Sequence, residues 1–147
     1  MAKGMGNGFP IGGVLIHNRF KASYGLLGTT FGGNHLACAA GIAVLDVLKA
    51  ENLRENAKAV GAYFMAELAK IEGVKEVRGK GLMIGLDVGF PVKELRKELL
   101  YQEKTFTGSS SDANVLRLLP PLNIGKKEVD IFLKTFKKVF AQYLVKE

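Results

Sequence analysis

The sequence has little of what disulfide-bonded, membrane-spanning and metal-binding proteins need. Its 147 residues include one cysteine, Cys38, which has no partner for an internal disulfide. Glycine, lysine or aspartate interrupts the longest apolar stretches well before about 18 residues, so we expect no membrane span. No pair of histidines or cysteines has metal-ligand spacing, and we expect no metal site. The first residues lack the order of a signal peptide, so a reducing, cytoplasmic location is expected.

Positive charge outweighs negative charge, with 21 Lys and Arg against 14 Asp and Glu and a formal net charge of +7. The positive residues are scattered, and many alternate with apolar residues in two helical stretches, 93–104 and 126–146. This pattern is typical of a solvated helix face, and we expect no nucleic-acid partner. Alternatively, the chain is one part of a larger protein whose other part carries the balancing acid. Apolar residues make up 48% of the chain, enough to build a core.

Residue patterns divide the chain into three parts, 1–33, 34–52 and 53–147. The first part has one strand-like run between two glycine-rich loops, and it cannot close a core alone because a lone strand leaves both edges unpaired. Asn34 is predicted to cap a long, almost wholly apolar helix that should be buried on most of its surface. For the third part, the patterns predict an α+β domain with the element order helix, strand, strand, helix, strand, strand, helix. The strands are expected at 11–17, 75–78, 82–88, 105–107 and 114–119.

Two glycine-rich segments resemble nucleotide-binding loops but fail the tests for them. In the opening segment KGMGNGFPIGG, a dinucleotide fingerprint would need a glycine at position 9, where the sequence has Phe9, and no strand precedes it. Gly79 and Lys80 resemble the end of a Walker loop. However, Val74 stands where that loop needs its first glycine, and Gly81 stands where it needs Ser or Thr. The sequence therefore predicts neither nucleotide site.

Lys3 and the segment GTTFGGN are candidate functional groups. A lysine attacks a carbonyl only as the free amine, and the glycines beside Lys3 would let a backbone and a cofactor come close. The alternative is a solvated lysine near a chain end. The hydroxyls of Thr29 and Thr30, in a turn that starts at Gly28, offer donors to a phosphate. The alternative here is a plain loop ahead of the Asn34 cap.

Arg117 is a third candidate because it interrupts the apolar run VLRLLPPL. A guanidinium inside a strand is costly to bury without a partner, and its planar fork matches a carboxylate. The alternatives are an edge residue that faces water or an internal ion pair.

Four motifs in order, AKGMGNGFPIGG, GTTFGGNHLACAAGIAVLDVL, VRGKGLMIGL and NVLRLLPPLNI, resemble the C-terminal part of class III pyridoxal-phosphate aminotransferases. Within that class they are most similar to the acetylornithine and succinylornithine aminotransferases of arginine biosynthesis. The resemblance implies a transfer of the side-chain amino group of N-acetylornithine or N-succinylornithine to 2-oxoglutarate, with pyridoxal 5'-phosphate as cofactor. Ornithine or 4-aminobutyrate transaminases are the nearest alternatives.

The resemblance also implies roles for the candidate residues. Lys3 would form the Schiff base with the cofactor and then, as the neutral amine, move a proton between the substrate α-carbon and the cofactor. Thr30 would bind the cofactor phosphate from the neighbouring subunit of a dimer, with Thr29 and Gly28 shaping the loop. Arg117 would clamp the α-carboxylate of the amino-acid or 2-oxo-acid substrate.

The implied fold is that of the fold type I pyridoxal-phosphate transferases, an α/β fold of which this chain would be a fragment. Residues 1–33 would end the large cofactor-binding domain, with 11–17 as its last strand, 34–52 would connect, and 53–147 would form the small domain. The missing N-terminal large domain would carry other cofactor contacts, so the chain alone is expected to be inactive, with residues 1–33 loose. A different class of function, a non-catalytic interaction module whose basic surface binds an acidic partner, also remains open.

Overall fold

Helices dominate the chain, and one small sheet lies in its second half. A computed structural model describes residues 1–26 and 28–145; Leu27 and the last two residues lie outside the described part. After a 3-10 turn at Lys3–Gly6, the elements are α1 (His35–Ala50), α2 (Leu53–Leu68), β1 (Glu76–Lys80), β2 (Met83–Asp87), α3 (Lys93–Tyr101), β3 (Gly108–Ser109), β4 (Val115–Leu118) and α4 (Lys126–Leu144). The chain forms two units, Met1–Asn52 and Leu53–Glu147. No helix in the described ranges is long and apolar enough to cross a membrane.

In the first unit, residues 1–13 form a loop whose ends are hydrogen-bonded to each other and which packs on α1. The amino group of Met1 donates to the carbonyl of Gly13 at 2.7 Å, and the Gly13 N–H donates back to the Met1 carbonyl at 2.8 Å. Ile11 lies against Gly6 and against Gly41 of α1, where an added methyl group would come within 2.5 Å and 3.1 Å of its side chain. The glycines therefore let the loop that carries Lys3 approach the helix closely.

The predicted N-cap of α1 is confirmed, because the Asn34 side chain accepts a hydrogen bond from the Ala37 N–H at 2.9 Å. The predicted burial of this helix is wrong, since only Ala37 and Gly41 are buried in it. The predicted strand at 11–17 is also wrong: this segment is irregular, and Leu15 within it is 88% exposed. Both errors have one physical cause, which is that the described part of this unit offers no neighbouring strand and no second apolar layer.

The second unit is an α+β domain, as predicted. Its sheet has the order β1-β2-β4-β3, and all neighbouring strands are antiparallel. One sheet face packs against α2, α3 and α4 around a continuous apolar core. The fully buried side chains include those of Leu68, Ile84, Leu86, Leu95, Leu99, Leu116, Phe136 and Phe140. A core of this kind supplies the main stabilisation of a small domain.

Two local features fix the geometry of this domain. In α2, a side chain at Gly61 would begin 2.1 Å from the backbone oxygen of Gly81, so this glycine allows the helix to lie directly on the β1–β2 turn. The third strand lies later than the predicted 105–107, at Gly108–Ser109. The reason is that the Thr107 carbonyl accepts a hydrogen bond from the Arg96 guanidinium of α3 at 3.0 Å. That bond ties the carbonyl to a helix, outside the strand ladder.

Candidate functional site

The sheet of the second unit has an outer face, opposite the helices, on which Arg117 is exposed. Side chains alternate between the two faces of a strand, so Leu116 and Leu118 point into the core while Arg117 points outward. Its strand, β4, is an interior strand, flanked by β2 and β3. The prediction of a strand at 114–119 with an arginine inside it is confirmed. Arg117 faces water, as the alternative of an edge residue supposed, but its strand is not an edge strand.

Glycines lie opposite Arg117 on both neighbouring strands. Gly85 of β2 and Gly108 of β3 are its partners in the ladder. A side chain at position 108 would begin 3.0 Å from the Arg117 Nε, so the guanidinium stem rests on bare backbone there. Among the described residues, the Arg117 side chain makes no hydrogen bond or ion pair. The alternative of an internal ion pair is therefore wrong as well, and the guanidinium is available to a ligand.

Two cavities of the second unit meet at Arg117. The larger, about 550 Å³, is lined mainly by apolar side chains and by Thr107, which is only 5% exposed. The Thr107 hydroxyl has no hydrogen-bond partner in the part of the chain that the structure describes. The smaller cavity, about 330 Å³, is lined by Arg78, Lys80 and Ser110 together with Arg117. Arg117 therefore lies between an apolar space and a cationic one.

Lys3 begins the 3-10 turn of the first unit, and its backbone adopts φ 55°, in the left-handed region. A lysine is uncommon in this conformation. Its side chain is exposed and makes no ion pair or hydrogen bond within residues 1–26 and 28–145. The amine is therefore free to meet a carbonyl group from outside the chain, with the short glycine-rich turn as its support.

The predicted phosphate loop also lies in the first unit, just before α1. Gly28, Thr29 and Thr30 are exposed, and neither threonine hydroxyl has a partner in the described ranges. The loop folds back tightly, since a side chain at Gly32 would begin 2.2 Å from the Thr29 methyl group. The Asn34 amide donates to the Phe31 carbonyl at 3.0 Å and closes the loop onto the helix cap. The two hydroxyls without partners thus belong to the loop that leads into the Asn34 cap of α1.

The structure places the predicted site residues in both units. Lys3, Gly28, Thr29 and Thr30 belong to the first unit and Arg117 to the second. No hydrogen bond in the described part of the first unit joins Lys3 to the threonine loop. Each group therefore has its own local geometry, and the roles of these five residues remain predictions.

Comparison with known proteins decides the family. A family model described as aminotransferase class-III matches residues 1–140. The chain belongs to the class III aminotransferase family. Enzymes of this class use pyridoxal 5'-phosphate, and their fold is the pyridoxal-phosphate transferase fold predicted for this chain.

The relatives of this chain include more than one kind of class III aminotransferase. An acetylornithine aminotransferase of Methanosarcina acetivorans is 42% identical over 132 residues, which are 88% of this chain and 33% of the relative. An ornithine aminotransferase of Oceanobacillus iheyensis is 37% identical over 96% of this chain and 36% of its own length. The crystal structure of acetylornithine aminotransferase from Elizabethkingia anophelis matches with a TM-score of 0.72 and 31% identity, over 82% of this chain and 33% of that one. The chain thus spans about a third of the length of these relatives.

Sequence reasoning missed three residues that the structure places beside Arg117. These are Arg78, Gly85 and Gly108, which share its row across the sheet. A signal was present for one of them, because an isolated glycine inside a strand pattern such as MIGLD indicates a close approach of a ligand or backbone. The alignment of the row itself depends on strand register, which a single sequence does not give.

Proposed function

We propose that this chain is the C-terminal part of an aminotransferase that moves the side-chain amino group of N-acetylornithine or N-succinylornithine to 2-oxoglutarate, a step of arginine biosynthesis. The observation that carries the proposal is Arg117, an unpaired guanidinium on an interior strand between two glycines. Both the donor and the acceptor of this reaction bear an α-carboxylate, and a guanidinium binds a carboxylate through two parallel hydrogen bonds. Relatives named acetylornithine aminotransferase, at about 40% identity, support the choice of substrate.

In this proposal three segments of the chain have different structural roles. Residues 1–33 end the large cofactor-binding domain, 34–52 connect, and 53–147 form the small domain. A missing N-terminal large domain covers the exposed apolar side chains of α1, which include Leu36, Ile42 and Leu45. In the longer protein a second, identical subunit completes the site, and Thr30 serves the partner's cofactor. The chain alone lacks most cofactor contacts and is inactive.

The donor set of the first unit fits pyridoxal phosphate. Lys3 offers an amine without a partner, and Thr29 and Thr30 offer unpaired hydroxyls beside the N-terminus of α1. An aldehyde and a phosphate are the two groups of this cofactor that such donors suit. When bound, the cofactor supplies an electron-accepting ring that stabilises negative charge on the substrate carbon bearing the amine.

The residues of this chain then have three tasks. Lys3 Nζ would hold the cofactor through its aldehyde carbon, and as the free amine it would accept the proton from the substrate carbon that bears the amine. The Thr30 hydroxyl and the backbone at Gly28 hold the phosphate oxygens. Arg117 orients the substrate by its α-carboxylate, so that the amine reaches the cofactor in one defined position.

Selective labelling tests this proposal on the chain as it exists. The purified chain is incubated with pyridoxal phosphate, reduced with borohydride and mapped by peptide mass spectrometry, with Lys80 and the terminal amino group as internal controls. We expect Lys3 to be labelled at the lowest cofactor concentration, before Lys80 and the terminal amino group. Equal labelling of Lys3 and Lys80 at every concentration would contradict the role given to Lys3.

A second candidate is an ornithine aminotransferase, because a relative with that name covers 96% of this chain. The same residues would serve, since ornithine carries the same α-carboxylate and side-chain amine but lacks the acyl group. The two are distinguished by glutamate formation from 2-oxoglutarate with N-acetylornithine or with ornithine as donor, measured on a longer protein that contains this chain.

A further inference from the structure

The loop that carries Lys3 contains a tight turn over Gly6–Phe9. The Phe9 N–H donates to the Gly6 carbonyl at 3.0 Å and closes this turn. Its two central residues, Asn7 and Gly8, have φ angles of 46° and 100°. Positive φ at both central positions is the mark of a type I′ turn, and asparagine followed by glycine is the pair that this turn favours. The pair is therefore a turn element of the loop.

This turn leaves the side chain of Asn7 and the backbone of Gly8 accessible and unpaired. Both residues are exposed, and a methyl group added at Gly8 would meet no atom within 4 Å. Within residues 1–26 and 28–145, the Asn7 side-chain amide makes no hydrogen bond, and the Gly8 N–H has no acceptor. Solvent therefore reaches both the amide carbon of Asn7 and the backbone nitrogen that follows it.

A reaction between these two atoms needs only a local opening of the turn. Ring closure requires rotation about the ψ angle of Asn7, which is 47° in the closed turn. The turn is closed by the hydrogen bond from Phe9 to Gly6, and such a bond contributes about 1 kcal/mol net. Gly8 has no Cβ, so no side chain hinders the approach of its nitrogen. The reactive geometry is therefore a small step from the folded loop.

Other asparagines of the chain lack this combination. The side chain of Asn34 is engaged in the cap of α1, and that of Asn56 donates to two carbonyl groups of the loop before α4. Asn52 is exposed and has a similar φ of 49°, but Leu53 follows it and begins α2. Asn7 is the only asparagine in the sequence that a glycine follows.

We propose that Asn7 is a site of spontaneous deamidation. The Gly8 backbone nitrogen loses its proton to solvent and bonds to Asn7 Cγ; the bond from Cγ to the side-chain nitrogen breaks, and that nitrogen leaves as ammonia. One water molecule then opens the resulting five-membered imide at either of its carbonyl carbons. The product is aspartate or, where the backbone carbonyl is attacked, isoaspartate. One water is consumed, one ammonia is released, and nothing is oxidised or reduced.

The isoaspartate product should open the turn. It places the Cβ of residue 7 in the main chain, which adds one backbone atom between Gly6 and Gly8, and it leaves a free carboxylate. The spacing that sets the hydrogen bond from Phe9 to Gly6 is then lost. A negative charge also enters the loop four residues after Lys3. The inference depends on the geometry of the turn and not on the function proposed for Lys3.

The test follows every asparagine of the purified 147-residue chain during incubation in heavy-oxygen water. Peptide mass spectrometry measures the heavy oxygen gained at each asparagine, which excludes deamidation before the incubation, and chromatography separates aspartate from isoaspartate. Asn7 should react at least about tenfold faster than Asn52, because the leucine side chain after Asn52 hinders attack. The rate at Asn7 should rise with pH, since the attacking nitrogen must lose a proton, and isoaspartate should be the larger product.

Two variants separate the turn from the residue pair. Asn7→Gln keeps an amide but requires a six-membered ring, and it should end the release of ammonia from this loop. Leu53→Gly creates a second asparagine–glycine pair after the similar φ of Asn52, with its glycine at the start of α2. In the folded chain this pair should react at least about threefold more slowly than Asn7, because the helix restrains its backbone. In urea the two pairs should react at similar rates.

Three results would overturn the inference. The first is a rate at Asn7 no higher than that at Asn52 in the folded wild-type chain. The second is a rate at Asn7 that rises more than about tenfold in urea, which would mean that the folded turn protects the residue. The third is equal rates for the two pairs in folded Leu53→Gly, which would remove the role of the turn. None of these results bears on the labelling of Lys3, so this inference and the proposed function fail independently.

Discussion

The two units of the chain differ in how far each buries its own apolar surface. In the second unit three helices and a four-stranded sheet enclose an apolar core, in which Leu86, Leu116 and Phe136 are fully buried. In the first unit α1 buries only Ala37 and Gly41, although its sequence is almost wholly apolar and small. An apolar helix without a covering layer indicates a surface made for other parts of a protein. The candidate functional residues are thus divided between a unit that encloses its own apolar core and a unit that does not.

This contrast bears on how precisely each unit can hold a functional group. Arg117 is fixed on an interior strand whose neighbours on both sides are paired. Lys3 and Thr30 lie on loops held by a few hydrogen bonds and by the contacts of Ile11. Groups on paired strands keep their geometry better than groups on loops. We therefore expect the geometry around Arg117 to be better formed in this chain than the geometry around Lys3 and Thr30.

Truncation in the core should produce the largest effect. Phe136 is 0% exposed and stacks between Phe132 and Phe140, with ring centroids 5.8 Å and 5.0 Å away. Phe136→Ala should destabilise the second unit by about 3–5 kcal/mol, because it removes buried area and leaves a cavity. Leu45→Ala, at a residue of α1 that is 63% exposed, is the control and should change stability by less than about 0.5 kcal/mol. Urea unfolding followed by circular dichroism measures both, and similar losses would contradict the contrast between the units.

A smaller loss is expected where α2 lies on the β1–β2 turn. Gly61→Ala places a methyl group 2.1 Å from the Gly81 backbone oxygen, and backbone cannot move aside as a flexible side chain can. The expected cost is about 1–3 kcal/mol. Gly4→Ala is the matched control in the first unit, since a methyl group there meets nothing within 4 Å. Thermal unfolding compares the two variants, and a Gly61→Ala chain as stable as wild type would show that the helix does not rest on this turn.

The helix cap tests the first unit by itself. Asn34→Ala removes the acceptor for the Ala37 N–H and should cost about 1 kcal/mol of helix stability. Because few other contacts hold α1, the effect should appear as faster amide exchange in its first turn and not as a lower unfolding midpoint of the second unit. Equal loss of protection in α1 and in β4 would mean that the two units unfold together.

The sequence predicted the elements whose patterns are local. The last helical stretch was expected at 126–146, and the helix is Lys126–Leu144, because apolar residues recur along it with helical spacing. The Asn34 cap was also predictable, since a cap depends on residues three positions apart. The family could be inferred from four short motifs, because each motif and their order can be read directly from the sequence.

Features that depend on distant partners were not predictable in this way. The run at 11–17 has strand-like composition but no strand beside it in the described residues, so it stays irregular. The shift of the third strand depends on a hydrogen bond from Arg96 to the Thr107 carbonyl, eleven residues away in sequence. The row formed by Arg78, Gly85 and Arg117 depends on the register of three strands. Register is decided by the whole sheet and its turns.

The smallest expected effect is a change of stability at high pH that is confined to the second unit. Tyr63 Oη donates to Asp130 Oδ1 at 2.6 Å, and this bond raises the pKa of Tyr63 to about 12 from 10.0. A raised pKa in the folded state means that the contribution of this hydroxyl is complete below pH 10.0 and is lost as the pH rises towards about 12. Tyr63→Phe should therefore flatten the fall in unfolding midpoint between these pH values, and it should remove one late step from the tyrosinate absorbance titration. Loss of a step near pH 10.0 in Tyr63→Phe, and not of a late step, would show that the hydroxyl ionises normally and that the link from α2 to Asp130 of α4 adds nothing to the second unit.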